Sequence, residues 1–437
     1  LNAIGLLFTL VFSAFLVALP RRLAAIPLLI GAAYMTRGQV LDIGPAHFDV
    51  VRILVTVGFF RAVLKEESIT RMNSIDRMLI LWAIWLIVSS AFHTSEAWVF
   101  RAGMVWTELG CYFLFRIFVQ DAEDVLLIFK VLCVALIPVA VLMLLEKSTG
   151  RNYFGVLGGT SEVVDFRHGH FRARGSFAHA ILAGSVGATC FPMALYLWKK
   201  YHKLALAGLF STVGIILAST SSGPIMMVLF ILFGLVIWKL RKYLGAIRWL
   251  GITAVIALDV VMKDPVYFLM ARIDISGGSQ GWFRARLIQS SIEHLDEWWL
   301  AGTDYTRHWM SSGIPANSVS ADITNHFLGM GVMGGLPLMF LFIMVLVAGF
   351  GKVGRALREN ESASMEQRFL IWTLGTILFG HVMNFWSISL FDQSVVFFYL
   401  ILACISAVQV AKPFAVNVEV KQSVGRMRQS RYVSRLG

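Results

Sequence analysis

A chain of 437 residues that is 57% hydrophobic and only 15% charged excludes an ordinary soluble protein, because so few polar side chains cannot cover its surface. A mean hydropathy of +0.72 points the same way, to a polytopic integral membrane protein. The net charge of +12 gathers in short turns and a C-terminal tail, which fits topology signals and anionic lipid headgroups and leaves nucleic acid a poor partner.

In chain order, the apolar runs predict an all-α protein with twelve or thirteen transmembrane helices. They fall at 2–19, 23–36, 48–64, 78–92, 99–119, 125–145, 177–198, 204–221, 224–240, 246–262, 333–351, 369–386 and 394–411. The chain opens on Leu1 rather than Met, so the count at that end is open by one. Lys and Arg collect at Arg21 and Arg22, Lys65 to Arg77, Lys199 to Lys203, Arg241 to Arg248, Lys352 to Arg368 and along the tail. By the positive-inside rule these turns are cytoplasmic, and the loops 146–174 and 263–332 face the periplasm of a bacterium. Five regions follow: N-terminal scaffold helices (1–145), helices with an Arg-rich outer entry (146–262), one large periplasmic loop (263–332), C-terminal helices (333–411) and a basic tail (412–437). Cys111, Cys133, Cys190 and Cys404 lie in apolar runs and read as core thiols rather than disulfide partners or metal ligands.

Three outer stretches carry candidate chemistry. Arg167, His168, His170, Arg172 and Arg174 precede the seventh span, where guanidinium forks and the free N–H groups of a helix start suit phosphate oxygens. The alternative is interfacial anchoring by snorkelling side chains. Ser219-Thr220-Ser221-Ser222-Gly223-Pro224 forms a polar hairpin whose hydroxyls read first as helix caps, with Pro224 in the first turn of the next helix. In the large loop, Trp282 to Ile292 reads as an amphipathic helix opened by Arg284 and Arg286. Trp298, Trp299 and Trp309 offer flat faces to sugar rings or, equally, to the membrane interface, and Asp304 follows them. The loop closes with Asp322, Asn325 and His326 before Gly329 to Gly335. Asp322 and His326 share a helical face, His can serve as a general base, and the glycines let another backbone approach. No closely spaced set of His and carboxylates presents an obvious three-ligand metal site, and no cofactor is implied.

A many-spanning chain with one large outer loop between its tenth and eleventh helices resembles the O-antigen ligase and polymerase superfamily. The resemblance is carried from Arg174 to Gly335 by Arg174-Gly175-Ser176-Phe177-Ala178-His179, the Ser221-Ser222-Gly223 hairpin, Arg284-Ala285-Arg286, Leu300-Ala301-Gly302-Thr303, and Gly331 with Gly334-Gly335. It implies a C-type glycosyltransferase membrane fold in the bacterial inner membrane, with its active site facing the periplasm. The implied reaction is metal-independent and inverting, and moves a glycan from an undecaprenyl (polyprenyl) diphosphate carrier to an acceptor hydroxyl such as a growing glycan or lipid A-core. On that resemblance Arg172, Arg174, Arg284 and Arg286 hold the diphosphate, His326 or Asp322 is the base, and Trp298, Trp299, Asp304 and Asn325 contact sugar or acceptor. The chain departs from the family twice: Ser222 stands where members often carry Arg, and the usual His register falls on Ser320 while His326 lies closer to Gly331. The competing class is a transporter or flippase of lipid-linked glycans. Such proteins usually keep substrate contacts near the midplane on broken helices and show repeated halves, whereas polar residues here gather at the outer face and no repeat is visible.

Overall fold

The computed structural model describes residues 1–69, 71–167, 169–272, 281–310 and 320–408. His168, the loop segments 273–280 and 311–319, the end of the last expected span and the basic tail lie outside the described residues.

The chain is mostly helical. In order it forms α1 (Ala3–Ala18), α2 (Ala25–Tyr34), a hairpin of β1 (Val40–Ile43) and β2 (Ala46–Asp49), then α3 (Val50–Leu64), α4 (Ser74–Ser89), α5 (Ser95–Phe118) and α6 (Ala122–Thr149). A second hairpin, β3 (Asp165–Arg167) and β4 (His170–Arg172), precedes α7 (Ala180–Leu197), α8 (His202–Ser219), α9 (Ser222–Val236) and α10 (Leu244–Val261). The short α11 (Leu269–Arg272), α12 (Gly281–Glu293) and α13 (Leu295–Trp298) make up the described helices of the large loop, and α14 (His326–Glu359), α15 (Met365–Phe385) and α16 (Ser394–Ala407) complete the bundle. Each of the apolar runs read from sequence is a helix. Their starts follow local chemistry: the Asp49 side chain accepts from Arg52 N at α3, Asn73 and Asp76 form a capping box at α4, and Asp121 caps α6.

Among the described residues, six segments are long and apolar enough to cross a membrane: Ser74–Phe92, Ala122–Thr149, Ala180–Leu197, His202–Ser219, Ser222–Val261 and His326–Glu359. Two expected spans, 224–240 and 246–262, therefore run as one segment, with tight 3₁₀ winding at Ile237–Tyr243 in place of the interhelical turn expected there. The 10 residues of α2 rise only about 15 Å, half the thickness of a hydrocarbon core. Hydropathy also hides how differently the helices are used. Every residue of α16 is buried and none of α10 is.

At one end of the bundle the basic turns are locked by acids. Arg21 and Arg22 pair with Asp124 at 3.0 and 3.2 Å, Arg61 with Glu67 at 2.7 Å, and Arg116 with the buried Asp76 at 3.1 Å. At the other end gather the β3–β4 hairpin, the α8–α9 turn, the α15–α16 turn and the large loop. Part of that loop has its own small core of Leu287, Trp298, Trp309, Met310 and Ala321, packed on Leu328, Val332 and Leu336 of α14. There α14 is broken at Gly334 and Gly335, and the loop plugs the gap: Leu336 N donates to Trp299 O at 2.8 Å and Thr303 N to Val332 O at 2.9 Å. Gly335 (φ 75°) and Gly302 (φ 91°) permit it. A Cβ on either would stand about 2 Å from a facing carbonyl oxygen, 2.1 Å from Leu300 O and 2.2 Å from Val332 O respectively.

Candidate functional site

A polar cavity of about 550 Å³ opens where these loops meet. Its first wall is the β3–β4 hairpin, turned at Gly169 (φ 80°). Arg172 spans outward from that hairpin, donating to Asp165 Oδ2 at 3.2 Å and to Ser221 Oγ at 2.9 Å. Ala173 N donates to Ala218 O at 3.1 Å, so the hairpin is stitched to the end of α8. Ser221, the N-cap residue of α9, makes no side-chain capping bond and instead accepts from Arg172 while donating to Ser219 O. Thr220 and Ser222 line the cavity beside it.

The next stretch is held from below. Glu146, fully buried in the last turn of α6, accepts the backbone N–H groups of Arg174 and Gly175, each at 2.9 Å. This fixes the backbone from which the Arg174 side chain reaches into the cavity; its Nη2 donates to Ser161 O at 3.0 Å. Arg284 enters from α12, Asp322 and Thr324 from the stretch before α14, and Ser387 and Ser389 from the α15–α16 turn. Arg167, His170 and His179 complete the polar lining.

The charge balance here is lopsided. Burial pulls the Arg284 pKa below its ordinary value, Arg167 pulls it further, Asp322 opposes, and Arg172 again lowers it. Arg172 is lowered in the same way, by burial first and by Arg167, against the opposing pull of Asp165. Arg174 Nε, Arg284 Nε and Thr324 Oγ1 are buried donors with no hydrogen-bond partner among the described residues. Crowded cations and orphan donors facing one cavity are what an anion with several oxygens would satisfy.

A second, mainly apolar cavity of about 360 Å³ lies alongside, sharing Ile323, Ser389 and Phe391 with the first. It is bounded by α3, α5 and the first half of α14. Its Asp392, whose oxygens accept N–H bonds from Ala178 and Ser394, is pushed up to about 7 by burial.

Of the residues singled out from sequence, the fold brings Arg172, Arg174, Arg284 and Asp322 together. It separates the others. Arg286 sits two residues from Arg284, hence on another face of α12, and pairs with Glu293 at 3.5 Å. Trp298 is 4% exposed, its ring packed over Gly331 and its Nε1 bonded to Ser291 O, so it is a core residue rather than a sugar platform. Trp299 is 52% exposed but lines neither cavity. Asp304 is a latch: it accepts from His93 Nδ1 at 2.7 Å and from Thr94 N, and His93 Nε2 reaches Ala301 O. Asn325 caps α14, accepting from Leu328 N at 3.1 Å. His326 is 5% exposed, packed between Phe342 and Phe385, and lines neither cavity. Its one link to them is Nδ1 to Ser389 Oγ at 3.2 Å.

Arg167 and His170 stood in the basic stretch and were legible as a group, without a role for either. Ser389 carried no signal, because a lone Ser near a helix end is unremarkable until a turn from elsewhere in the chain is placed against it. The fold also assembles a three-ligand cluster that sequence spacing did not suggest, His294, Glu297 and His308. No family model matches the chain, and no curated protein matches it, so the likeness to the ligase and polymerase superfamily rests on the motifs alone.

Proposed function

We propose that this protein is a membrane glycosyltransferase of the O-antigen ligase or polymerase kind, with a C-type fold and the polar cavity facing the periplasm of a bacterial inner membrane. The donor is a glycan on a polyprenyl diphosphate. The observation that carries this reading is the convergence of Arg167, Arg172, Arg174 and Arg284, with the Ser221 and Ser222 hydroxyls, on one cavity of about 550 Å³. A diphosphate offers oxygens to the buried, unpartnered Arg174 Nε and Arg284 Nε, and its growing charge as a leaving group is what crowded guanidiniums stabilise. The adjoining apolar cavity suits a second, less charged body such as the first isoprene units or the acceptor.

The step is a displacement at the anomeric carbon. The acceptor hydroxyl forms the new C–O bond as the bond to the diphosphate breaks; the electron pair leaves on the diphosphate oxygen, and a base takes the hydroxyl proton. Asp322 lines the cavity and is the base in this reading. His326 is offset behind Ser389 and acts on the cavity only through that hydroxyl. The broken α14 could suggest a transporter, whose substrates bind at such breaks. Here the break is filled by the chain's own Trp299–Thr303 backbone, which argues against that use.

The test is transfer by purified protein from a polyprenyl diphosphate glycan to glycan and lipid A-core acceptors, with chelator present. Product from wild type, strongly reduced in Arg284→Gln and Asp322→Asn, is expected. Movement of labelled donor between leaflets with no new glycosidic bond would replace the transferase with a flippase.

A further inference from the structure

We propose that His294, Glu297 and His308 form a binding site for a borderline transition-metal dication, with Zn²⁺ the natural probe, which clamps the large loop outside the reaction cavity. The three ligand atoms lie within 4.8 Å of one another. A tetrahedral zinc with nitrogen and oxygen ligands needs separations of about 3.3 Å, so a pair at the 4.8 Å limit must close by up to about 1.5 Å, within reach of side-chain rotation. His308 Nε2 rests on the Glu297 carboxylate, at 2.8 and 2.9 Å from its two oxygens. A dication between them replaces that contact. Two imidazoles and one carboxylate also leave a fourth position for water, the donor set of an open zinc site, and they disfavour Mg²⁺ and Ca²⁺, which take oxygen.

The ligands are held in place by their neighbours. His294 Nδ1 donates to Ser290 O at 2.9 Å, which fixes the tautomer and leaves Nε2 as the ligating atom. Trp309 Nε1 donates to Glu297 Oε2 at 3.0 Å and orients the carboxylate. The His308 ring stacks on Tyr305 with centroids 5.1 Å apart, and the His294 ring on Trp309 at 6.0 Å.

The position gives the site its role. His294 and Glu297 bracket the start of α13, and His308 lies in the 3₁₀ turn Arg307–Trp309. Between them runs Trp299–Thr303, the segment that plugs the break in α14. A metal at this point ties both arms of the plug together. None of its ligands lines either cavity, so it is a brace, not a participant in transfer.

The experiment is zinc binding by full-length protein in detergent, stripped with chelator and dialysed, then titrated against a chromogenic zinc chelator with metal content measured in parallel. One Zn²⁺ per chain with a Kd below about 1 μM is expected, unaffected by millimolar Mg²⁺ or Ca²⁺, and accompanied by a higher melting temperature. His308→Ala should weaken binding at least about 100-fold, while His308→Cys should restore it with a zinc–sulfur distance of about 2.3 Å in X-ray absorption. Binding that is substoichiometric, or equal in wild type and His308→Ala, means adventitious metal on scattered histidines and overturns the proposal. If His308→Ala does not fold, failure of His308→Cys to show sulfur ligation overturns it instead. All readouts are of metal, so the result stands apart from whether transfer is observed.

Discussion

The two ends of the bundle use arginine in opposite ways. At the end with Arg21, Arg22, Arg61 and Arg116, each guanidinium has a carboxylate within 3.2 Å. The pKa of Arg22 is accordingly raised, by Asp124 first and then Asp121. At the end with Arg167, Arg172 and Arg284, guanidiniums crowd one another, with Asp165 on Arg172 at 3.2 Å and Asp322 opposing only in part at Arg284, and the pKa values of Arg172 and Arg284 are lowered. Paired arginines close a structure; crowded ones are stable together only when something else supplies negative charge. Both ends carry clustered arginines in sequence, and the difference arises from which acids the fold delivers to them.

The sharpest way to break this comparison is to remove one arginine from each end. Arg116→Met leaves Asp76, which is 0% exposed, without its cation, and the cost should be about 3–5 kcal/mol, read as lost folded protein or a much lower melting temperature. Arg284→Gln should do the reverse: melting unchanged or higher, because a repelled buried cation is gone, with transfer reduced about 100- to 1,000-fold. A pair of variants that destabilise equally would erase the distinction drawn between the ends.

Asp322 sharpens the comparison within the crowded end, as the carboxylate that lines the cavity beside Arg284. Asp322→Asn should lower transfer by about 100-fold or more, since the amide cannot take the hydroxyl proton. His326 and Ser389 set the control. If Ser389→Ala abolishes transfer and Asp322→Asn spares it, the proton leaves through Ser389 to His326 and the base assignment moves.

The plug in α14 links the large loop to this site, and it can be tested by one methyl group. Gly335→Ala places a Cβ 2.1 Å from Leu300 O at a φ of 75°, costing about 2–4 kcal/mol and loosening Trp299–Thr303 from the break. Hydrogen exchange at Leu336 and Thr303 should rise together, since each donates across that gap. Unchanged protection at both amides would mean the plug is held elsewhere.

Much of this frame can be read without coordinates, and the reasons for the rest are specific. Apolar runs and basic punctuation give the helices because each helix satisfies its backbone locally and needs no partner to be recognised. The glycines at 329–335 signalled a close backbone approach, and Gly335 has one. Tertiary partners are a different matter. The spacing of four puts Asp322 and His326 on one helical face, but the helix begins at His326 itself, so the two share no turn. Trp298 and Trp299 look alike in sequence, yet one fills a core over Gly331 and the other is half exposed. His294, Glu297 and His308 become neighbours only when the chain doubles back after α13.

The smallest expected effect is the most discriminating about α12. Arg284 and Arg286 are indistinguishable by composition, and the family likeness treats them as one motif. Two residues along a helix rotate a side chain by about 200°, so only one of the pair can face the cavity. Arg284 does; Arg286 has a side chain 43% exposed and a long contact with Glu293, the kind of surface pair that contributes at most about 1 kcal/mol. Arg286→Ala should therefore change transfer by no more than about twofold and melting by about a degree. The same assay on Arg284→Ala should lose about 100-fold or more. Equal losses would mean that α12 turns when donor binds and presents both guanidiniums to the diphosphate, and the cavity walls would then have to be redrawn around a rotated helix.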